Sequence, residues 1–162
     1  MKIFISGSIS IKKLPKIAIQ KIDNIIKNNY EILLGDAKGI DSCVQKYLQK
    51  SQYRNVKIYC AGNSVRNNIG NWPINKIESA GETGRKLYTL KDKAMANDAD
   101  YGMMIWDGKS EGTLNNISEM QIQNKKFYVV MEELIVSQDN IGKIIEINDK
   151  SKNEELIQTD LF

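Results

Sequence analysis

Two periods of hydrophobic residues take turns along this chain. Residues 2–6 form a short apolar run, the length of a buried strand. After the turn-prone Gly7-Ser8-Ile9-Ser10, Pro15 opens a helical pattern, where proline's missing N–H costs nothing. Ala18, Ile22, Ile25 and Ile26 then share one face of a helix that Asn28-Asn29 stops. Residues 30–34 read as a second strand, ending in Gly35-Asp36-Ala37-Lys38-Gly39. A second helix follows, with Ile40, Val44, Tyr47 and Leu48 at helical spacing, and residues 56–60 are a third strand.

Residues 62–82 break this rhythm. They hold Gly62, Gly70, Trp72, Pro73, Gly81 and several asparagines, and so long a loop is usually functional or mobile. Beyond it the pattern predicts a helix over 83–97, a strand over 101–106, a helix over 114–124 and a strand over 127–131. Residues 141–147 add a last short strand or helix, and from Asp149 the chain turns polar. Strand and helix thus alternate four times before a final strand, an order that predicts a parallel sheet covered on both faces. The expected fold class is α/β, a Rossmann-like three-layer sandwich with a mainly parallel sheet of about five strands. The expected division is one domain over 1–148 and a flexible tail over 149–162.

Composition narrows the chemistry. A chain of 162 residues suits one domain, which needs no disulfide or metal staple at this size. It has no histidine, which removes Ser-His-Asp triads and His-ligated metals together, and no metal site is expected. Cys43 and Cys60 lack CxxC spacing and sit in apolar patterns, so buried free thiols in a reducing compartment are expected. The first apolar run is too short for a signal peptide or a membrane span, and the expected location is the cytoplasm. A net charge of +3 fits an anionic ligand but is mild for wrapping nucleic acid.

In open parallel sheets, ligands bind beyond the carboxyl ends of the strands. Three of the expected strand ends carry glycine turns: Gly7-Ser8, Gly35 to Gly39, and Gly108-Lys109-Ser110-Glu111-Gly112-Thr113. Backbone N–H groups bared by glycine near a helix start form an anion site, and Ser8, Ser110 and Thr113 add hydroxyl donors. Lys38, Arg85, Lys91 and Lys109 are candidate phosphate partners, although a solvated surface position is the plainer reading of each. Asp36 belongs to the same edge. Asp41, Asp107 and Glu111 are the candidate catalytic carboxylates for cleaving a nucleoside bond. Asp41 reads equally as an aspartate favoured at a helix start, and Asp107 as a turn residue. Trp106, beside the third turn, is the candidate for stacking on a base, with a core-edge aromatic as its alternative.

Gly35-Asp-Ala-Lys-Gly-Ile-Asp41 resembles the GxxxGxD turn of the SLOG superfamily, and Gly112-Thr113 resembles its second glycine-threonine loop. Lys91-Asp92-Lys93-Ala94-Met95 followed by Ala99-Asp100 is similar to the YspA-like branch, related to DprA and to LOG phosphoribohydrolases. The resemblance spans roughly residues 2–131. It implies a Rossmann-like fold, a nucleotide or nucleotide-derived ligand, no cofactor and frequent self-association into homo-oligomers. The LOG pattern PGGxGTxxE is not reproduced. Asp107-Gly108-Lys109 replaces Pro-Gly-Gly, and Asn115 and Asn116 stand where acidic residues would follow.

The last residues, Gln158-Thr159-Asp160-Leu161-Phe162, resemble the pentapeptide by which bacterial proteins bind the replicative sliding clamp. Leu161 and Phe162 would enter an apolar pocket while Gln158 bonds at its rim. A bacterial or phage source is implied. Three functions therefore stand: a module that binds a nucleotide-derived molecule, a nucleotide N-glycosidase, and a DNA-metabolism accessory recruited to the clamp.

Overall fold

The computed structural model describes residues 1–146 and residue 149. It contains β1 (Lys2–Gly7), α1 (Lys16–Lys27), β2 (Glu31–Leu34), α2 (Ile40–Lys50), β3 (Val56–Ala61) and β4 (Ile74–Ile77). There follow α3 (Gly84–Asp98), β5 (Tyr101–Ile105), α4 (Glu111–Ile122), β6 (Lys126–Met131) and β7 (Leu134–Ser137). Residues 138–146 are helical. The described strands form one sheet in the order β4-β3-β2-β1-β5-β6-β7. Every pair is parallel except β6 and β7. This is the expected Rossmann-like α/β sandwich, with seven strands in place of about five.

The period-2 alternation of the strands sorts the core into two layers. Ile3, Ile5, Ile32, Leu34, Ile58, Met103 and Ile105 pack with Ala18, Ile22, Val44 and Leu48 of α1 and α2. Phe4, Leu33, Tyr59, Met104 and Val129 face the other way and pack with Met95, Ala96, Ile117 and Met120 of α3 and α4. Most of the apolar stripe expected on α1 is buried at Ala18, Ile22 and Ile25. Pro15 lies just ahead of the helix and supplies no side-chain cap. Glu133 supplies one instead, accepting the backbone N–H groups of Lys16 at 2.9 Å and Ile17 at 3.2 Å.

The two extra strands are edge strands. β4 lies inside the stretch expected to be irregular, and each of its residues keeps some exposure, so no apolar run marks it. β7 returns from β6 through the two-residue turn Glu132-Glu133, with Met131 opposite Leu134. Glu132 takes φ +52°, a left-handed backbone that glycine or asparagine normally signals, so the hairpin carried no turn signature. Residues 67–72 of the long loop are tied to α2 and to the segment just after it. Gln45 donates to the Asn67 carbonyl and accepts the Ile69 N–H, while the Trp72 indole N–H donates to the Tyr53 carbonyl.

Candidate functional site

The sheet changes direction at β1. From β1 the chain steps to β2, β3 and β4 on one side, then crosses to β5 on the other. The loops leaving β1 and β5 must diverge there, and the gap at such a switch point is where α/β folds hold ligands. A cavity of about 360 Å³ opens at this place. Ser6 and Gly7 border it at the end of β1, Ile9 and Ser10 just beyond, Ala37 and Asp41 after β2, and Arg66 after β3. Asp107 and Ser110 follow β5, with Gly112, Thr113, Asn115 and Asn116 on α4. Arg85, Tyr88, Thr89, Lys91, Asp92 and Met95 of α3 form the remaining wall.

The β1 and β5 loops are stapled together by hydroxyl groups. Ser8 is buried, its Oγ 2.6 Å from Ser110 Oγ and 3.3 Å from Thr113 Oγ1, and it accepts the Asp107 N–H at 3.0 Å. Gly7 is required by contact. A Cβ there would stand 2.4 Å from the Ile105 carbonyl and 2.8 Å from Ile40 Cβ. Asp107 organises its own turn by accepting the N–H groups of Lys109 and Ser110 at 2.8 and 2.7 Å and the Ser10 hydroxyl at 2.6 Å. Burial opposes its charge, but these donors outweigh it and hold the carboxyl well below the usual range. Gly108, at φ +78°, completes the turn. Ser110 precedes α4 without capping it by its side chain, so the first turn of that helix meets the cavity at Gly112 and Thr113.

The β2 loop gathers charge. Asp36 is buried and gripped by Arg66, with Nη2 2.6 Å and Nε 3.1 Å from Oδ1 and the Arg66 backbone N–H 2.8 Å from Oδ2. The Arg66 guanidinium also lies 4.4 Å from the centre of the Tyr88 ring. Gly35 is the meeting point of two side chains: a Cβ there would stand 2.4 Å from Asp41 Oδ2 and 2.9 Å from Lys91 Nζ. Gly39, at φ +73°, passes so near Ile9 that a Cβ would reach its Cα at 2.4 Å. Asp41 is buried and accepts the Ala37 N–H at 3.1 Å. Burial pushes its pKa up to about 6, against the pull of Lys91 and that hydrogen bond, with Asp92 and Asp36 adding to the rise. Lys91 is only 4% exposed, with Nζ 3.4 Å from Asp92 Oδ1.

The structure therefore brings Gly7, Asp41, Arg85, Lys91, Asp107, Ser110, Gly112 and Thr113 to one cavity. Ser8, Gly35, Asp36, Gly39 and Gly108 belong to the same loops but are not among the lining residues. Lys38 and Lys109 are exposed and are not among the lining residues. Glu111 is exposed and paired with Arg85 at 2.7 Å. Trp106 is 3% exposed, packed in the α3/α4 core layer, and donates its indole N–H to the Ser110 carbonyl at 3.0 Å. Of the aromatic residues, Tyr88 lines the cavity. Gln158, Leu161 and Phe162 lie outside the described residues.

Arg66 and Ser6 are among the lining groups not singled out from the sequence. Arg66 sits in the irregular stretch, where only the tertiary fold carries it to Asp36. Ser6 ends a strand and looks like any strand residue, yet its hydroxyl meets Asn116 Nδ2 at 2.6 Å.

A mainly parallel sheet with its cleft at the switch point defines a Rossmann-type α/β protein. Its fold is that of DNA processing protein A: a solved structure of the Helicobacter pylori protein matches with a TM-score of 0.63. The match covers 95% of this chain and 81% of that one at 15% identity, a likeness that shows the fold alone. That protein is described as binding single-stranded DNA. No family model and no curated protein matches the chain. Among the described residues, no helix is long and apolar enough to cross a membrane.

Proposed function

We propose that the chain binds a nucleotide or nucleotide-derived anion in the switch-point cleft. The observation that carries this reading is the convergence of the β1, β2 and β5 loops on one cavity, together with the open first turn of α4. The GxxxGxD and glycine-threonine turns that resemble the SLOG superfamily form two of those loops. Arg66, Arg85 and Lys91 each lie beside a carboxylate, so an anion held here would draw on backbone N–H groups as well as cations. The test is a thermal-shift screen of mononucleotides, cyclic nucleotides and nucleotide sugars. A ligand at 100 times its Kd stabilises the fold by about 2.7 kcal/mol. No shift with any of them would overturn the reading.

The likeness to DNA processing protein A favours a second reading, a DNA-metabolism accessory. A short single strand offers the cleft a phosphate and a base, and the tail at Gln158–Phe162 would add recruitment to the sliding clamp. Anisotropy of a labelled oligodeoxynucleotide tests the first part. Loss of clamp binding on deleting Gln158–Phe162 tests the second, and light scattering tests the self-association that the resemblance implies. A nucleotide N-glycosidase is the third reading. Asp41 suits it best, because a buried carboxyl near pKa 6 can hold or release a proton at neutral pH. Free base released from a bound nucleotide would move this reading to first place.

A further inference from the structure

Among the described residues three cations line the cleft, and they differ in how firmly they are held. Arg66 makes three hydrogen bonds to Asp36, counting its backbone N–H, and that carboxylate is 1% exposed. Moving the arginine away would strand a buried charge. Lys91 is itself buried, with Asp92 beside its amine. Arg85 is held differently. Its side chain is 64% exposed, and that of its partner Glu111 is 66% exposed. Water screens both members, so this pair exchanges partners at little cost.

The pair also has a particular place in the fold. Arg85 is the second residue of α3 and Glu111 the first of α4. Their 2.7 Å contact joins the starts of the two helices. Arg85 lines the cleft and Glu111 does not, so the pair lies at the rim with its cation bordering the cavity. Gly112 and Thr113 follow Glu111 directly and line the cleft as well. A glutamate in the first turn of a helix is favoured by the helix dipole, which explains Glu111 as a helix residue. It does not explain why its carboxylate occupies a lining arginine. Glu111 gives that arginine one negative charge, whereas a phosphomonoester carries roughly two and offers three acceptor oxygens. Exchange of the carboxylate for such a phosphate therefore runs toward the ligand.

We propose that Glu111 is a built-in competitor for the cleft: Arg85 leaves it to take the phosphate of the ligand, and the rim ion pair sets how tightly phosphate-bearing ligands bind. The proposal rests on the nucleotide-binding reading and names the residue that receives the ligand's charge. The experiment is calorimetric titration of the full chain with each common ribonucleoside 5′-monophosphate. The wild type is compared with Glu111→Gln, Arg85→Ala and the double variant, each shown to be folded by thermal melting. Glu111→Gln is expected to bind the monophosphate about fivefold tighter than the wild type. Arg85→Ala is expected to bind it about tenfold more weakly, and in that background Glu111→Gln should bring no gain. A gain of the same size without Arg85 overturns the exchange, because it would be the general effect of removing a negative charge. Equal binding by the wild type and Glu111→Gln also overturns the proposal and leaves nucleotide binding standing. If no monophosphate binds any of the four proteins, both readings fall.

Discussion

Arg66 holds the buried carboxylate of Asp36 with its guanidinium at 2.6 Å and its own backbone N–H at 2.8 Å. The pair ties the loop after β3 to the loop after β2 and sets one wall of the cleft. Its two members are unequal, because Asp36 is 1% exposed while Arg66 keeps much of its surface in water. Arg66→Ala should therefore destabilise the fold more than Asp36→Asn. It leaves a buried charge without its partner, a loss of about 2–4 kcal/mol. Urea denaturation of both variants at neutral pH checks the order.

The ionisation of Asp41 makes stability depend on pH. Its folded pKa, about 6, lies above the ordinary aspartate value of 3.8, so between these values the folded chain binds more protons than the unfolded one. Stability attributable to this group should fall as pH rises through that window and level off above it. The full shift corresponds to roughly 3 kcal/mol. Asp41→Asn should flatten the slope, read as urea midpoints from pH 4 to 7 against the wild type.

Gly39 in the β2 loop and Gly112 in the first turn of α4 should respond in opposite directions. Gly39→Ala forces a side chain onto a positive φ and into the Ile9 backbone, and should cost well over about 1 kcal/mol. Gly112 has no positive φ, and a Cβ there meets nothing within 4 Å. Gly112→Ala should leave stability unchanged or raise it by up to about 1 kcal/mol, since alanine favours helix. Thermal melting of the two variants separates the cases.

Glu133 reaches across the fold to the start of α1, where Pro15 provides no cap. Glu133→Ala should lose about 1 kcal/mol, with faster amide exchange at Lys16 and Ile17 as the local signature. Normal exchange at those amides would refute the capping role.

The Arg85–Glu111 pair is exposed on both sides. Glu111→Ala should change stability by less than about 0.5 kcal/mol. A much larger loss in chemical denaturation would contradict a solvent-screened pair.

The sequence by itself determined the layers. Ile3, Phe4 and Ile5 alternate between the two faces of the sheet because successive strand residues point opposite ways. Ala18, Ile22 and Ile25 share a face because a helix repeats every 3.6 residues. Both periods are local, so they survive in a one-dimensional reading, as do the glycine turns at the strand ends. Tertiary structure decided what the turns hold. Asp36 is wedded to Arg66, 30 positions away, and Ser6 to Asn116, 110 positions away. No periodicity records such distances, because they follow from the order in which strands pair. β4 and β7 were hidden for a related reason. An edge strand buries little, and a turn through Glu132 carries no glycine.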